Sequence, residues 1–141
     1  MQIMNVQDFE RSLSTLKEKT VAVSPPGQYT GPESSSARIL FSDGSTLRAD
    51  YWRLITRGKA GISSFDHNQQ YGLPAPIDVF NDLRRELEHK PLAEARWDRR
   101  TGDLLLVFEG ELELQILNFT GYEVWELCFR DKISMYSNYA K

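Results

Sequence analysis

The sequence contains a single cysteine, Cys128, and only two histidines, His67 and His89, among its 141 residues. One thiol excludes an intrachain disulfide, which is typical of a protein in a reducing compartment. A zinc site would need carboxylate ligands in addition, and no paired spacing supports one. We therefore expect no metal and no cofactor, and we interpret Cys128 as a small strand residue rather than a reactive thiol.

Long apolar runs are also missing. The longest one, Leu104–Phe108, has five residues, whereas a membrane-spanning helix needs about 20. The stretch Met1–Phe9 lacks the basic segment and following apolar segment of a signal peptide. These absences predict a cytoplasmic protein without a membrane partner.

Positive charge is in short supply, with 17 Lys and Arg against 20 Asp and Glu, a net charge of −3 and a pI near 5.4. A protein that binds a duplex needs a basic face to displace counterions from the phosphates. The glycine-rich phosphate motifs G-x-x-x-x-G-K-[ST] and G-x-G-x-x-G are absent as well. We therefore expect no nucleic-acid partner.

The rest of the composition is that of an ordinary globular domain, 40% hydrophobic and 26% charged. A chain of 141 residues corresponds to one domain, 1–141. Within it, the prolines, glycines and serines of residues 24–35 predict a flexible loop.

Two segments show the three- and four-residue apolar spacing of a helix. The first helix is predicted over Gln7–Lys19, with Asn5 as its N-cap. The second begins after its cap, Asp78, and ends at Lys90 and Pro91.

Short apolar segments joined by turn residues predict strands. The Asp43-Gly44 turn favours a hairpin between Ile39–Phe41 and a strand predicted over Thr46–Thr56. The run Leu104–Phe129 is interrupted by tight turns and is typical of an antiparallel meander. The predicted fold is therefore α+β, a curved antiparallel sheet with two helices, the second packed on the face of Leu112, Leu114 and Ile116.

A weak internal echo links the two halves of the chain. Ile39-Leu40-Phe41, Leu47 and Trp52-Arg53-Leu54 resemble Leu106-Val107-Phe108, Leu114 and Trp125-Glu126-Leu127, although the spacing before the tryptophan differs by six residues. An ancient duplication explains the echo, and so does the general similarity of apolar hairpins.

The segment Ser63–Asn68 is the most suggestive cluster for catalysis. An Asp beside a His can orient the imidazole as a general base, and a nearby serine can act as nucleophile. The sequence lacks the G-x-S-x-G elbow, and neighbouring side chains seldom form a triad. Asp66 and His67 therefore stand as candidate binding residues with Tyr71, or as groups that hydrogen-bond the loop backbone.

The basic and aromatic run Arg96–Arg100 allows two interpretations. Arginines around Trp97 can stack on a base or grip a phosphate. Such a run is also typical of a charged hairpin end, and Glu94, Asp98 and Asp103 dilute its charge.

Acidic residues are concentrated on the predicted meander. They could form a face for a basic protein partner, or they could keep the sheet soluble. Glu111, Glu113 and Glu123 are the candidate binding residues of this group, which also contains Glu109 and Glu126.

The segments 64–78 and 101–125 resemble small bacterial proteins of unknown function. The closing elements Phe119-Thr120-Gly121 and Tyr122–Trp125 are similar to those of immunity-type proteins of toxin systems. This resemblance implies a bacterial protein and assigns no catalytic residue. We expect a non-enzymatic, immunity-like protein-binding domain. The alternatives are a small-molecule-binding protein or hydrolase near Asp66 and His67, and a homo-oligomer formed through exposed strand edges.

Overall fold

The computed structural model describes residues 2–24 and 35–138. Its first helix, α1 (Val6–Ser14), begins at the predicted cap, where the Asn5 side chain accepts a hydrogen bond from the Asp8 N–H. The helix ends five residues earlier than predicted, because the following turn leads Glu18 to donate its N–H to the Leu92 carbonyl, 2.7 Å away. Most of the predicted loop 24–35 lies outside the described residues.

The second helix, α2 (Val79–Leu87), confirms the predicted N-terminus. The Asp78 side chain accepts hydrogen bonds from the N–H groups of Phe80 and Asn81, at 3.1 and 3.2 Å. Neither helix in the described part of the chain is long and apolar enough to cross a membrane.

The strands within these residues form two sheets, which confirms the predicted α+β class. All pairs are antiparallel except that of β1 with β11. Sheet A has the order β1-β11-β10-β4-β3-β2, and sheet B has the order β6-β5-β9-β8-β7. The bounds are β1 Gln2–Ile3, β2 Val21–Ser24, β3 Ala37–Phe41, β4 Thr46–Ala49, β5 Trp52–Thr56, β6 Lys59–Ser63, β7 Leu92–Trp97, β8 Leu104–Phe108, β9 Leu112–Ile116, β10 Trp125–Cys128 and β11 Ile133–Tyr136.

The segment 46–56 is two strands, not the single strand predicted. Ala49 and Trp52 are both buried, although they are three positions apart. A continuous strand would send two such residues to opposite faces, so the chain turns between them and changes sheet. The meander is interrupted in the same way after β9, because β10 pairs with β4 of sheet A.

Helix α2 lies against β2 of sheet A. The predicted face, Leu112, Leu114 and Ile116, is fully buried in a core shared by both sheets and both helices. The period-two pattern of β9 thus correctly identified a buried face, which shares one core with the apolar residues of α2.

The two halves of the chain contain the same elements in the same order. Each half has a helix, then three strands in one sheet, then a pair of strands in the other sheet. The order α1-β2-β3-β4-β5-β6 corresponds to α2-β7-β8-β9-β10-β11. Since β5 and β6 join the sheet of the second half, and β10 and β11 that of the first, neither half has a sheet of its own.

Reciprocal hydrogen bonds mark the pseudo-two-fold axis. The Glu18 N–H donates to the Leu92 carbonyl and the His89 N–H to the Val21 carbonyl, and both donors have a positive φ, +71° and +68°. Two further reciprocal bonds, Asp50 N–H to Val124 O and Leu117 N–H to Tyr51 O, both 2.9 Å, join the crossing segments. The echo in the sequence is therefore the trace of a structural repeat.

The buried tryptophans occupy equivalent places in this repeat. The Trp52 Nε1–H donates to the Ser35 carbonyl at 3.2 Å, and the Trp125 Nε1–H donates to the Gly102 carbonyl at 2.9 Å. Each tryptophan main-chain N–H also faces a buried serine hydroxyl, Ser64 or Ser137. These bonds satisfy the polar atoms where each chain segment changes sheet.

Candidate protein-binding surface

The structure divides the predicted site residues between two regions. Asp66, His67, Tyr71 and Glu123 lie in the loops beside the crossing segments, at the Trp52 and Ile116 end of the β5–β9 pair. Glu111 and Glu113 lie toward the other end, where Leu112 pairs with Thr56. Glu111 and Ile116 are five residues apart, which corresponds to about 17 Å of strand.

Asp66 is engaged within its own turn. Its Oδ2 accepts a hydrogen bond from the Ser63 N–H at 2.9 Å and completes a capping box for the short 3₁₀ turn Ser64–Asp66. Its Oδ1 accepts the Tyr71 hydroxyl at 3.2 Å. Desolvation, with the hydrogen bond and charge of the Asp66 carboxylate, raises the pKa of Tyr71 above its ordinary value.

His67 contacts the start of α2 rather than Asp66. Its Nδ1 lies 3.4 Å from the Val79 N–H, which donates to it, and its ring packs edge-on against Phe80 with the centroids 4.7 Å apart. These contacts give His67 a structural role at the N-terminus of the helix.

The glutamates do not share one face. Glu113 projects from the outer face of sheet B between Ile55 and Val107, and Glu126 projects from sheet A between Arg48 and Tyr136. Glu111 lies in the β8–β9 turn with a positive φ of 61°. The acidic residues are therefore distributed around the molecule. They do not form one acidic face that would attract a basic partner.

The arginines of the β7–β8 hairpin are each paired with a carboxylate. Arg96 bonds Glu94 at 2.9 Å, Arg100 bonds Asp98 at 3.2 Å, and Arg99 bonds Glu10 on α1. Side-chain hydrogen bonds from these arginines lower the pKa of Glu94 and Asp98. With its arginines paired, the cluster is the charged hairpin end that the sequence allowed.

Three aromatic rings form an exposed cluster that the sequence analysis missed. Tyr51 stacks on Phe65, with the centroids 5.7 Å apart, and contacts Phe119 at 4.8 Å. Phe65 and Phe119 are 61% and 58% exposed, whereas Tyr51 is half-buried against the core. We call Tyr51, Phe65 and Phe119 the aromatic surface.

The aromatic surface is positioned by the crossing segments. Tyr51 immediately precedes the buried Trp52, and the Tyr51 carbonyl accepts the Leu117 N–H, which fixes the loop that carries Phe119. Phe65 is held by the capped 3₁₀ turn. Tyr71 and Tyr122, 68% and 82% exposed, lie in the same two loops. The recurrence of aromatic residues in polar loops is a signal of this surface in the sequence. Only the fold brings the three rings together.

Among residues 2–24 and 35–138, no group of three His, Cys, Asp or Glu side chains is placed to hold a metal ion. Cys128 is a free, half-buried thiol on β10, and its Sγ lies 3.7 Å from the Phe129 carbonyl oxygen. Its setting fits a small strand residue.

No protein-family model, curated protein or solved structure matches this chain. The geometry of the molecule therefore carries the functional inference.

Proposed function

We propose that this chain is a non-enzymatic protein-binding domain that contacts its partner through the aromatic surface. The observation that carries the proposal is the ring cluster of Tyr51, Phe65 and Phe119, with two members more than half exposed. Monomeric proteins seldom leave contiguous aromatic groups in water, because burying them is favourable, and aromatic side chains are enriched in the centres of interfaces.

The charges around the aromatic surface favour a basic partner. Asp66 and Glu123 lie in its loops, and Asp50 precedes Tyr51. The nearby Arg48 is already engaged by Asp50 at 3.6 Å and by the Glu123 carbonyl. A basic side chain of a partner would therefore meet carboxylates at the rim of the surface, which speeds association.

An immunity-like role in a bacterial cytoplasm is the specific form of this proposal. It rests on the similarity of the adjacent elements Phe119-Thr120-Gly121 and Tyr122–Trp125, which begin with the exposed Phe119 and Tyr122. The hydrolase alternative has less support, because the Asp66 and His67 side chains hydrogen-bond different partners, Asp66 to Ser63 and Tyr71 and His67 to Val79.

The partner can be identified by photo-crosslinking in the cell of origin. A benzophenone amino acid placed at Phe119 should capture a basic protein, whereas the same group at Leu40, 41% exposed on sheet A, should not. Affinity is then measured with the purified partner by calorimetry. Phe119→Ser and Phe65→Ser should each weaken binding by about tenfold or more, since anchors of this kind contribute at least 1.4 kcal/mol.

Leu40→Ser serves as the control for loss of an exposed apolar side chain and should change the affinity less than about twofold. Glu123→Lys should reduce the association rate and its salt dependence. An affinity that responds equally to Leu40→Ser and Phe119→Ser would overturn the proposal, as would a captured partner that binds Phe119→Ser at full strength.

A further inference from the structure

Strand β7 forms one edge of sheet B, and half of its main-chain groups point away from the sheet. The Asp98 N–H donates to the Asp103 carbonyl at 3.0 Å, which sets the hydrogen-bonding phase of the β7–β8 pair. In an antiparallel pair of strands, hydrogen-bonded and non-hydrogen-bonded residue pairs alternate. The main-chain N–H and C=O groups of Glu94 and Arg96 therefore bond to β8. Those of Ala95 and Trp97 point outward, away from the sheet. No described residue meets these outward groups.

The equivalent edge in the other half, β2, is closed. Val23 is the counterpart of Ala95 in this edge, because Val23 pairs with Ile39 of β3 in the same way as Ala95 pairs with Leu106 of β8. The outward carbonyl of Val23 accepts a hydrogen bond from Arg84 Nε on α2, at 3.3 Å.

Beside the β7 edge, by contrast, lies Glu10 of α1. A carboxylate cannot donate to a carbonyl, and Glu10 instead pairs with Arg99. The Ala95 edge therefore remains open.

A cavity of about 580 Å³ lies between α1 and β7, which also contact each other directly where the Phe9 and Trp97 rings pack with their centroids 5.5 Å apart. It is lined by Glu10, Leu13, Ser14 and Lys17 from the helix side and by residues 93–97 of the strand. Glu94 pairs with Arg96 and Glu10 with Arg99. Lys17 makes no salt bridge to a described residue, although its charge acts on the nearby Glu94.

We propose that this cavity binds an extended peptide of another protein, which adds to sheet B as a strand beside β7. The outward groups of Ala95 and Trp97 would bond the main chain of the peptide, as in β-strand addition generally. An acidic side chain of the peptide would pair with Lys17.

Amide hydrogen exchange tests the edge directly. In the free protein, the Ala95 and Trp97 amides should exchange at least about tenfold faster than those of Glu94 and Arg96. The probe is a heptapeptide selected from a random displayed library on the wild-type protein. At saturation, the Ala95 and Trp97 amides should become protected.

Two variants test the contacts. Ala95→Pro removes an outward donor without removing a bond to β8, and proline is tolerated on an edge strand. This substitution should lower the affinity for the selected peptide by about tenfold or more. Lys17→Glu should lower the affinity for an acidic peptide by a similar factor. Arg11→Glu is the control, since it makes the same charge change on an exposed part of α1, and it should change the affinity less than about twofold.

Several results would overturn the proposal: no peptide enriched from the library, binding unaffected by both Ala95→Pro and Lys17→Glu, or protection of Ala95 that rises with protein concentration in the absence of peptide. The last result would show that a second copy occupies the edge. Phe119→Ser should leave peptide binding unchanged, so the cavity and the aromatic surface can fail independently.

Discussion

The two helix–edge pairs, α2 with β2 and α1 with β7, occupy equivalent positions in the repeat and differ in how the edge is closed. Arg84 donates to the outward carbonyl of Val23, whereas Glu10 has no proton to donate to Ala95. The difference lies in the flanking side chains: the outward carbonyl of Val23 has a donor from its helix, and that of Ala95 has none among the described residues.

The largest difference between the halves should appear at the buried tryptophans. Trp125→Ala and Trp52→Ala should each lower the free energy of unfolding by about 3–5 kcal/mol. Trp125→Ala should cost more, because Trp125 also stacks on Phe9 of α1 at 5.7 Å. Urea titrations measure both values, and a larger loss at Trp52 would contradict this ranking.

The two helix N-caps should differ by a smaller amount in their contribution to the free energy of unfolding. Asp78 accepts two main-chain hydrogen bonds at the start of α2, and Asn5 accepts one at the start of α1. Asp78→Ala should therefore cost about 1–2 kcal/mol and Asn5→Ala about 1 kcal/mol or less. Denaturation of the two variants at one pH provides the test. Equal losses would show that the second bond adds nothing.

Removing the closing side chain should make the two edges alike. Arg84→Met leaves the Val23 carbonyl to water and should cost about 1 kcal/mol. Arg85→Met is the matched control, since Arg85 is exposed and pairs only with Asp82, at 2.7 Å. Thermal unfolding and amide exchange along β2 report the change, and equal effects of the two substitutions would refute a special role for Arg84.

The smallest expected effect is a dependence of the free energy of unfolding on pH, which comes from a group in sheet A. Burial, then the charge of Glu126 and its hydrogen bond, raise the pKa of Tyr136 above the ordinary value of 10.0. Ser63 occupies the equivalent place in sheet B. Because the unfolded chain loses the Tyr136 proton first, the free energy of unfolding should fall as pH rises above about 10 toward the higher folded-state pKa.

Tyr136→Phe should flatten this decline, and urea midpoints of the two proteins between about pH 8 and 11 measure it. A decline of the same steepness in the variant would assign the effect to other groups.

Local signals in the sequence predicted the elements well. The caps Asn5 and Asp78, the Asp43-Gly44 hairpin and the strands Leu104–Phe108 and Leu112–Ile116 are confirmed, because each depends on neighbouring residues. The strand predicted over Thr46–Thr56 was wrong, since the break in periodicity between Ala49 and Trp52 went unnoticed.

The candidate sites were less accessible from the sequence. The sequence points to Asp66, His67 and Tyr71 as one cluster and to Glu123 as part of an acidic group, and the fold places all four in loops around aromatic rings whose grouping no local pattern marks. Phe65 and Phe119 are 54 positions apart in the chain. Their contact with Tyr51 depends on the two chain crossings, which no local pattern encodes.

The sequence by itself determined the class of this protein: helices with their caps, strands with a period of two, an apolar core and no disulfide. Only the tertiary structure decided which strands share a sheet and that the echo is a two-fold repeat. It also decided that one edge is closed by Arg84 while the other stays open beside Glu10. The physical reason is that pairing between sheets depends on contacts between distant residues, whereas caps, turns and periodicity act within a few residues.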